Sequence, residues 1–167
     1  LFAGDVRPGV GDGAELLVWA RKRAAIVGMN KHCLELMRMG LERGVCGVAF
    51  MGTHLATVTP SVLEWLHHLR PWDARTGNHA LQGSRQVAQM LDDICALCDV
   101  PKHGQCDATS RSGSDTFFFG SYLGLVDAQL GGVERVEADG LVLQGGHFVA
   151  ADILIKGTIC DVSDQLL

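Results

Sequence analysis

Two apolar runs organise the first third of the chain. Ala24-Ala25-Ile26-Val27 follows the solvent-seeking Arg21-Lys22-Arg23 and stops at Gly28, and Val45-Cys46-Gly47-Val48-Ala49-Phe50-Met51 forms the second run. Short runs of this kind suit strands buried on both faces of a parallel sheet. Between them, from Lys31 to Arg43, Leu34, Met37, Leu41 and neighbouring Met39 give an apolar face of helical period. Gly44 then sits where a helix C-terminus favours a left-handed residue. Strand, glycine turn, helix, glycine and strand together predict a right-handed βαβ unit.

Further along, Ser61 to Leu69 after Pro60 reads as helical and is closed by Arg70-Pro71. Trp72 to Gly83 is rich in turn residues, Ser84 to Asp99 fits an amphipathic helix, and Val100 to Asp115 is polar. Phe117 to Leu130 returns to helical character, with Phe118, Tyr122, Leu125 and Val126 on one face. The period then changes. Val133 to Glu137 alternates, Asp139-Gly140 and Gly145-Gly146 are turn signals around Leu141-Val142-Leu143, and His147-Phe148-Val149 follows. That pattern predicts a small antiparallel meander. It feeds Ile153-Leu154-Ile155, an apolar triplet suited to a central parallel strand ending at Lys156-Gly157-Thr158. The predicted class is α/β: a Rossmann-like parallel sheet with a helical insertion at about 61–130 and a small β-meander.

Composition narrows the function classes. A chain of 167 residues with 47% hydrophobic content is long enough for one sizeable core, burying roughly 70% of the surface its unfolded form exposes. The net charge is −5, and the fourteen Lys and Arg are scattered apart from Arg21-Lys22-Arg23, so nucleic acid is not an expected partner. No apolar run reaches the roughly 20 residues of a membrane helix. Six cysteines (33, 46, 95, 98, 106 and 160) read as reduced thiols of an intracellular, cytoplasmic protein. The chain opens at Leu1 without Met, and residues 1–20 read as an irregular, Gly-rich lead-in.

The glycine turn raises the central chemical question. In a dinucleotide fingerprint the first glycine makes the tight turn, the second lets backbone approach the pyrophosphate, and the third allows close packing of helix on strand. In Gly28-Met29-Asn30-Lys31-His32-Cys33 only the first is kept. Asn30 tolerates left-handed backbone and offers an amide, but its side chain obstructs the approach that glycine allows. Cys33 is small enough for helix packing. The helix N-terminus still offers N–H groups and partial positive charge to a phosphate.

A nucleotide βαβ unit, a helical insertion, a three-strand meander and a last strand preceded by Ala151-Asp152 make up an order of elements that resembles the nicotinamide-nucleotide domain of two-dinucleotide flavoproteins. Among these it most resembles the flavin-containing monooxygenases. The family's entry strand, "GKRV-V-VG", is similar to Arg21-Lys22-Arg23-Ala24-Ala25-Ile26-Val27-Gly28, and its closing "G....aD.ii.aTGf" is similar to Gly146 through Cys160. A Phe-x-Gly-x-x-x-His segment precedes the glycines in the family; here Phe2-Ala3-Gly4 stands at a matching distance, with Pro8 in the place of the His. The resemblance implies residues 1–20 as a lead-in from a flavin domain, 21–158 as the NAD(P)-binding domain, and 159–167 as a return segment. It implies NADP as cofactor, FAD with its main site outside this chain, and an intact enzyme that reduces FAD with NADPH and oxygenates a small-molecule substrate. Gly28, Met29, Asn30 and Lys31 then belong at the phosphates and Thr53 and His54 near the adenosine ribose, and no catalytic residue is assigned.

Three departures favour an alternative, a degenerate Rossmann-like domain that binds no cofactor and serves as a structural or interaction module. They are the altered glycines, the segment Met51-Gly52-Thr53-His54-Leu55 where the family carries arginines, and the inverted Gly157-Thr158 in the closing turn. Other constellations have plain readings. Cys95, Cys98, His103 and Cys106 have the residue types of a zinc site, but Cys95 and Cys98 also fit the buried stripe of a helix, and that reading is preferred. His67-His68 are adjacent and diverge by about 100° on a helix. Phe117-Phe118-Phe119 reads as core. Ser110, Ser112, Ser114 and Asp115 form a polar loop with no histidine at hydrolase spacing.

Overall fold

The computed structural model describes residues 2–8, 18–53, 58–61, 72–73, 78–79, 81–98, 100 and 112–157. The βαβ unit is present: β2 (Arg23–Val27), α1 (Lys31–Glu42) and β3 (Gly47–Gly52). Arg43 caps α1, and Gly44 takes a positive φ of 80°, as the helix-end pattern predicts. Around it stands a five-stranded parallel sheet completed by β1 (Asp5–Pro8), β8 (Val126–Leu130) and β12 (Ile153–Lys156), in the order β1-β12-β2-β3-β8.

Between β3 and β8 the chain forms β4 (Val58–Thr59), β5 (Trp72–Asp73), β6 (Asn78–His79), α2 (Leu81–Leu97), β7 (Ser112–Gly113) and α3 (Asp115–Tyr122). The two-residue strands pair as β4 with β7, parallel, and β5 with β6, antiparallel. The meander is β9 (Val133–Glu137), β10 (Gly140–Leu143) and β11 (Phe148–Ala150), with β10 in the middle.

Strand periodicity of two divides the sheet into faces. Ala24 and Ile26 of β2, Val48 and Phe50 of β3, Val126 and Ala128 of β8, and Ile153 and Ile155 of β12 share one core with α1, α3 and Trp19. Ala25, Met51 and Leu154 face the other way and pack with Leu141, Leu143 and Val149 of the meander. The layers are therefore helices, sheet and meander, and both sheet faces are covered, as a parallel sheet requires.

Several expectations are corrected. Phe117 to Leu130 is not one helix: α3 stops at Tyr122 and, after a turn, Val126–Leu130 is the edge strand β8. Its alternation, with Val126 and Ala128 buried and Asp127 exposed, is a strand signal that apolar content alone conceals. Tyr122 is exposed, and of the three phenylalanines only Phe117 and Phe118 enter the core while Phe119 faces solvent. The lead-in contains β1, whose exposed Val6 and Arg7 carry no core signature because its place is the sheet edge. The Trp72 to Gly83 segment holds the β5–β6 pair, and α2 begins at Leu81, earlier than its apolar pattern indicates. The predicted 61–69 helix lies outside the described residues beyond Ser61.

Candidate functional site

A parallel sheet binds ligands in the crevice outside the carboxyl ends of its strands, where successive connections diverge to opposite sides. In this sheet the chain moves from β2 outward to β3 and β8, then crosses back to lay β12 against the other side of β2. The switch point therefore lies between the ends of β2 and β12, and Gly28 and Gly157 are the first residues beyond them.

Gly28 adopts φ of 100°, a conformation that glycine reaches without strain, and its N–H donates to the Met51 carbonyl at 2.7 Å. That bond holds the turn against the end of β3, two residues before Thr53. Met29 is buried, while Lys31 and Thr53 are exposed. Lys31 stands at the first position of α1, where the helix directs its unpaired amides and partial positive charge. His54 lies outside the described residues.

Asn30 behaves differently from a tolerated left-handed residue: its φ and ψ are −146° and 178°, an extended conformation. The extended backbone follows from its capping role, since an N-cap residue is non-helical and turns its side chain onto the helix that follows. Asn30 Oδ1 accepts the Cys33 N–H at 2.9 Å, and Asn30 Nδ2 donates to the Gly157 carbonyl at 2.8 Å. The buried Cys33 thiol donates to the same carbonyl at 3.5 Å. Burial pushes this thiol up from its ordinary pKa, against a smaller lowering by backbone hydrogen bonds, so it stays protonated and able to donate.

Gly157 completes the arrangement. Its N–H donates to the Val27 carbonyl at 2.8 Å, continuing the β12–β2 ladder past the strand ends. A Cβ there would collide with Cys33 Sγ and lie 3.1 Å from the Val27 carbonyl oxygen. The closing strand thus ends in glycine because α1 packs directly on it through Cys33. Sequence reasoning found Asn30 and Cys33 as altered fingerprint positions, but not their common partner. Both lie more than 120 residues from Gly157, and no local pattern signals such a contact.

The other highlighted side chains serve packing and capping. Ser114 caps α3 by accepting the Phe117 N–H at 3.2 Å, and Asp115 Oδ1 accepts the Ser61 N–H at 2.8 Å. Cys98 is buried in the helix-side core and Cys95 packs against it, as the stripe reading predicts. His103, Cys106, His67, His68 and Ser110 lie outside the described residues. A shallow concavity of about 170 Å³, lined by Arg23, Gly47, Val48, Leu125 and Asp127 among others, sits at the opposite, amino-terminal edge of the sheet. It lies away from the carboxyl-end crevice where this architecture places ligands. Among the described residues, no helix is long and apolar enough to cross a membrane.

No family model matches the chain, and no curated protein matches it in sequence. Solved structures do match. A cyclohexanone monooxygenase variant from Rhodococcus sp. Phi1 bound to NADP+ is 12% identical with a TM-score of 0.61, covering 98% of this chain and 44% of its own. Oxidized steroid monooxygenase bound to NADP is 11% identical with a TM-score of 0.64, covering 94% of this chain and 42% of its own. OTEMO in complex with FAD and NADP is 10% identical with a TM-score of 0.60, covering 94% and 43%. The chain spans less than half the length of these proteins, and at this level of identity the likeness is one of architecture: it has the fold of a portion of cyclohexanone monooxygenase, steroid monooxygenase and OTEMO.

Proposed function

We propose that this chain is the nicotinamide-nucleotide-binding part of a flavin-dependent, monooxygenase-like oxidoreductase. The observation that supports this reading most directly is the switch-point crevice between β2 and β12. There the Gly28 turn and the α1 N-terminus stand at the carboxyl edge of the sheet, on a fold shared with enzymes whose structures hold NADP.

The residues fit a dinucleotide in part. Gly28 keeps the tight turn, the first amides of α1 and the exposed Lys31 offer donors and charge to phosphate, and Thr53 stands beyond the adjacent strand where a ribose would lie. Asn30 fills the place of the second glycine. When bound, NADPH would supply a hydride to FAD held elsewhere in an intact enzyme, which then activates oxygen toward a small-molecule substrate. This chain's residues would bind and orient the nucleotide, and the proposal assigns them no proton transfer.

Titration of the purified chain with NADPH and NADH tests the reading. Trp19, buried against Gly40 of α1, provides a fluorescence reporter, and thermal shift provides a second signal. Saturable binding that favours NADPH is expected; if neither the folded chain nor its folded Asn30→Gly variant binds either nucleotide up to millimolar ligand, the proposal is overturned. The second reading, a domain that keeps the fold and serves as a structural or interaction module without nucleotide, is favoured by one observation. The Asn30 side chain is already engaged on both sides of the crevice.

A further inference from the structure

The Asn30 side chain spans the crevice with a single planar amide. One end, Oδ1, accepts the Cys33 N–H at 2.9 Å, and the other, Nδ2, holds the Gly157 carbonyl at 2.8 Å. The first bond is the kind a phosphate oxygen makes at a helix N-terminus, so Oδ1 stands where a ligand oxygen would accept. The second ties the end of β12 to the start of α1, two elements whose separation bounds the switch point. Because both atoms belong to one rigid group, a rotation about the Cα–Cβ or Cβ–Cγ bond that releases one contact displaces the other. Gly157 does not lose all support when this happens: its N–H remains on Val27 and the Cys33 thiol still reaches its carbonyl. The Asn30 contact to Gly157 is thus one of three that hold this strand end, the others being independent of the Asn30 side chain.

We infer that Asn30 is a specificity-determining gate, a side chain that occupies the phosphate position of the crevice and must swing away for a dinucleotide to bind. The inference rests on the nucleotide-binding reading above. It accounts for a fingerprint that replaces a glycine with a residue making one helix-capping bond and one long-range contact of its own. In the closed state the Asn30 amide substitutes for the ligand, and the nucleotide pays for its release out of binding energy. A residue acting only as a helix cap would stabilise the fold with no bearing on affinity.

The test compares the full chain with its Asn30→Gly and Asn30→Ser variants, measuring NADPH affinity and thermal midpoint together. Asn30→Gly removes the gate, and is expected to raise NADPH affinity on the order of tenfold while lowering the midpoint of the ligand-free protein by about 2–4 °C. Asn30→Ser keeps a capping oxygen but is too short for Gly157, so a smaller gain is expected, and it serves as the readable variant if Asn30→Gly does not fold. In the wild type, saturation with NADPH should shift the Asn30 side-chain amide resonances and quicken their hydrogen exchange. Binding by wild type with no gain in either folded variant overturns the gate and leaves the nucleotide reading standing, as does an Asn30 resonance that NADPH does not move. No binding by any folded form overturns both.

Discussion

Phe50 and Met51 are consecutive in one strand, both fully buried, and they belong to different cores. On Phe50's side the sheet carries helices and large side chains: its ring lies 6.1 Å from Phe117, which in turn meets Phe118 edge-on at 5.4 Å. Trp19, Ile26 and Met37 are fully buried in the same layer. On Met51's side the cover is a three-stranded meander: Ala25, Met51 and Leu154 of the sheet, with the partly buried Ala49, pack with Leu141, Leu143 and Val149. The two faces differ in what covers them, helices with an aromatic cluster on one and strands on the other, while each takes both alanine and large residues from the sheet. The comparison teaches that an unbroken apolar run such as Val48 to Met51 records two environments at once, its alternate residues entering different cores.

Mutations on the two sides sharpen the contrast. Phe50→Ala is expected to have the largest effect, a loss of about 3–5 kcal/mol in unfolding free energy, because it opens a cavity beneath α1 and α3 that the rigid aromatic cluster cannot fill. Denaturant unfolding measures it, and a loss below 1 kcal/mol, on the scale of a surface change, would refute the role given to that cluster. Leu141→Ala, at the centre of the meander, should cost about 2–4 kcal/mol. If it left stability unchanged, the meander would not share the core of the sheet.

The smallest expected effect concerns pH. Burial raises the Cys33 thiol pKa above its unfolded value, so the folded state holds this proton more tightly. The associated stability is fully present below the unfolded thiol pKa of about 8.5 and is lost as pH rises through the folded value. Thermal midpoints from about pH 7 to 10 should therefore fall more steeply for the wild type than for Cys33→Ala, in which Cys98, also raised by burial, continues to contribute. Parallel curves would show that the helix-side core does not hold the Cys33 thiol as described.

The βαβ unit was readable because each of its elements carries a local signature: the buried run before Gly28, the helical spacing of Leu34 and Met37, and the glycine after the helix. The meander was readable from alternation and paired turn residues. Edge strands escaped notice for the opposite reason. Among the described residues β1 and β8 stand at the two edges of the sheet and need few apolar residues, so Asp5–Pro8 passed for an irregular lead-in and Val126–Leu130 for the end of a helix. At the candidate site, Gly28 and the substitutions at Asn30 and Cys33 were visible as departures from a known pattern. Their consequence was not visible, because Asn30 is extended by its capping role rather than left-handed by its residue type.

By itself the sequence determined the layers of this protein: periods of two and 3.6 fix which residues must be covered, and glycines fix where the chain turns. Tertiary structure alone decided that β12 returns beside β2, because strand order depends on which apolar faces meet after the whole chain collapses. That placement brings the Gly157 carbonyl within 2.8 Å of Asn30. A hydrogen bond needs its two atoms together in space, and the spacing of residues along a chain does not encode that across a distance of 127 positions.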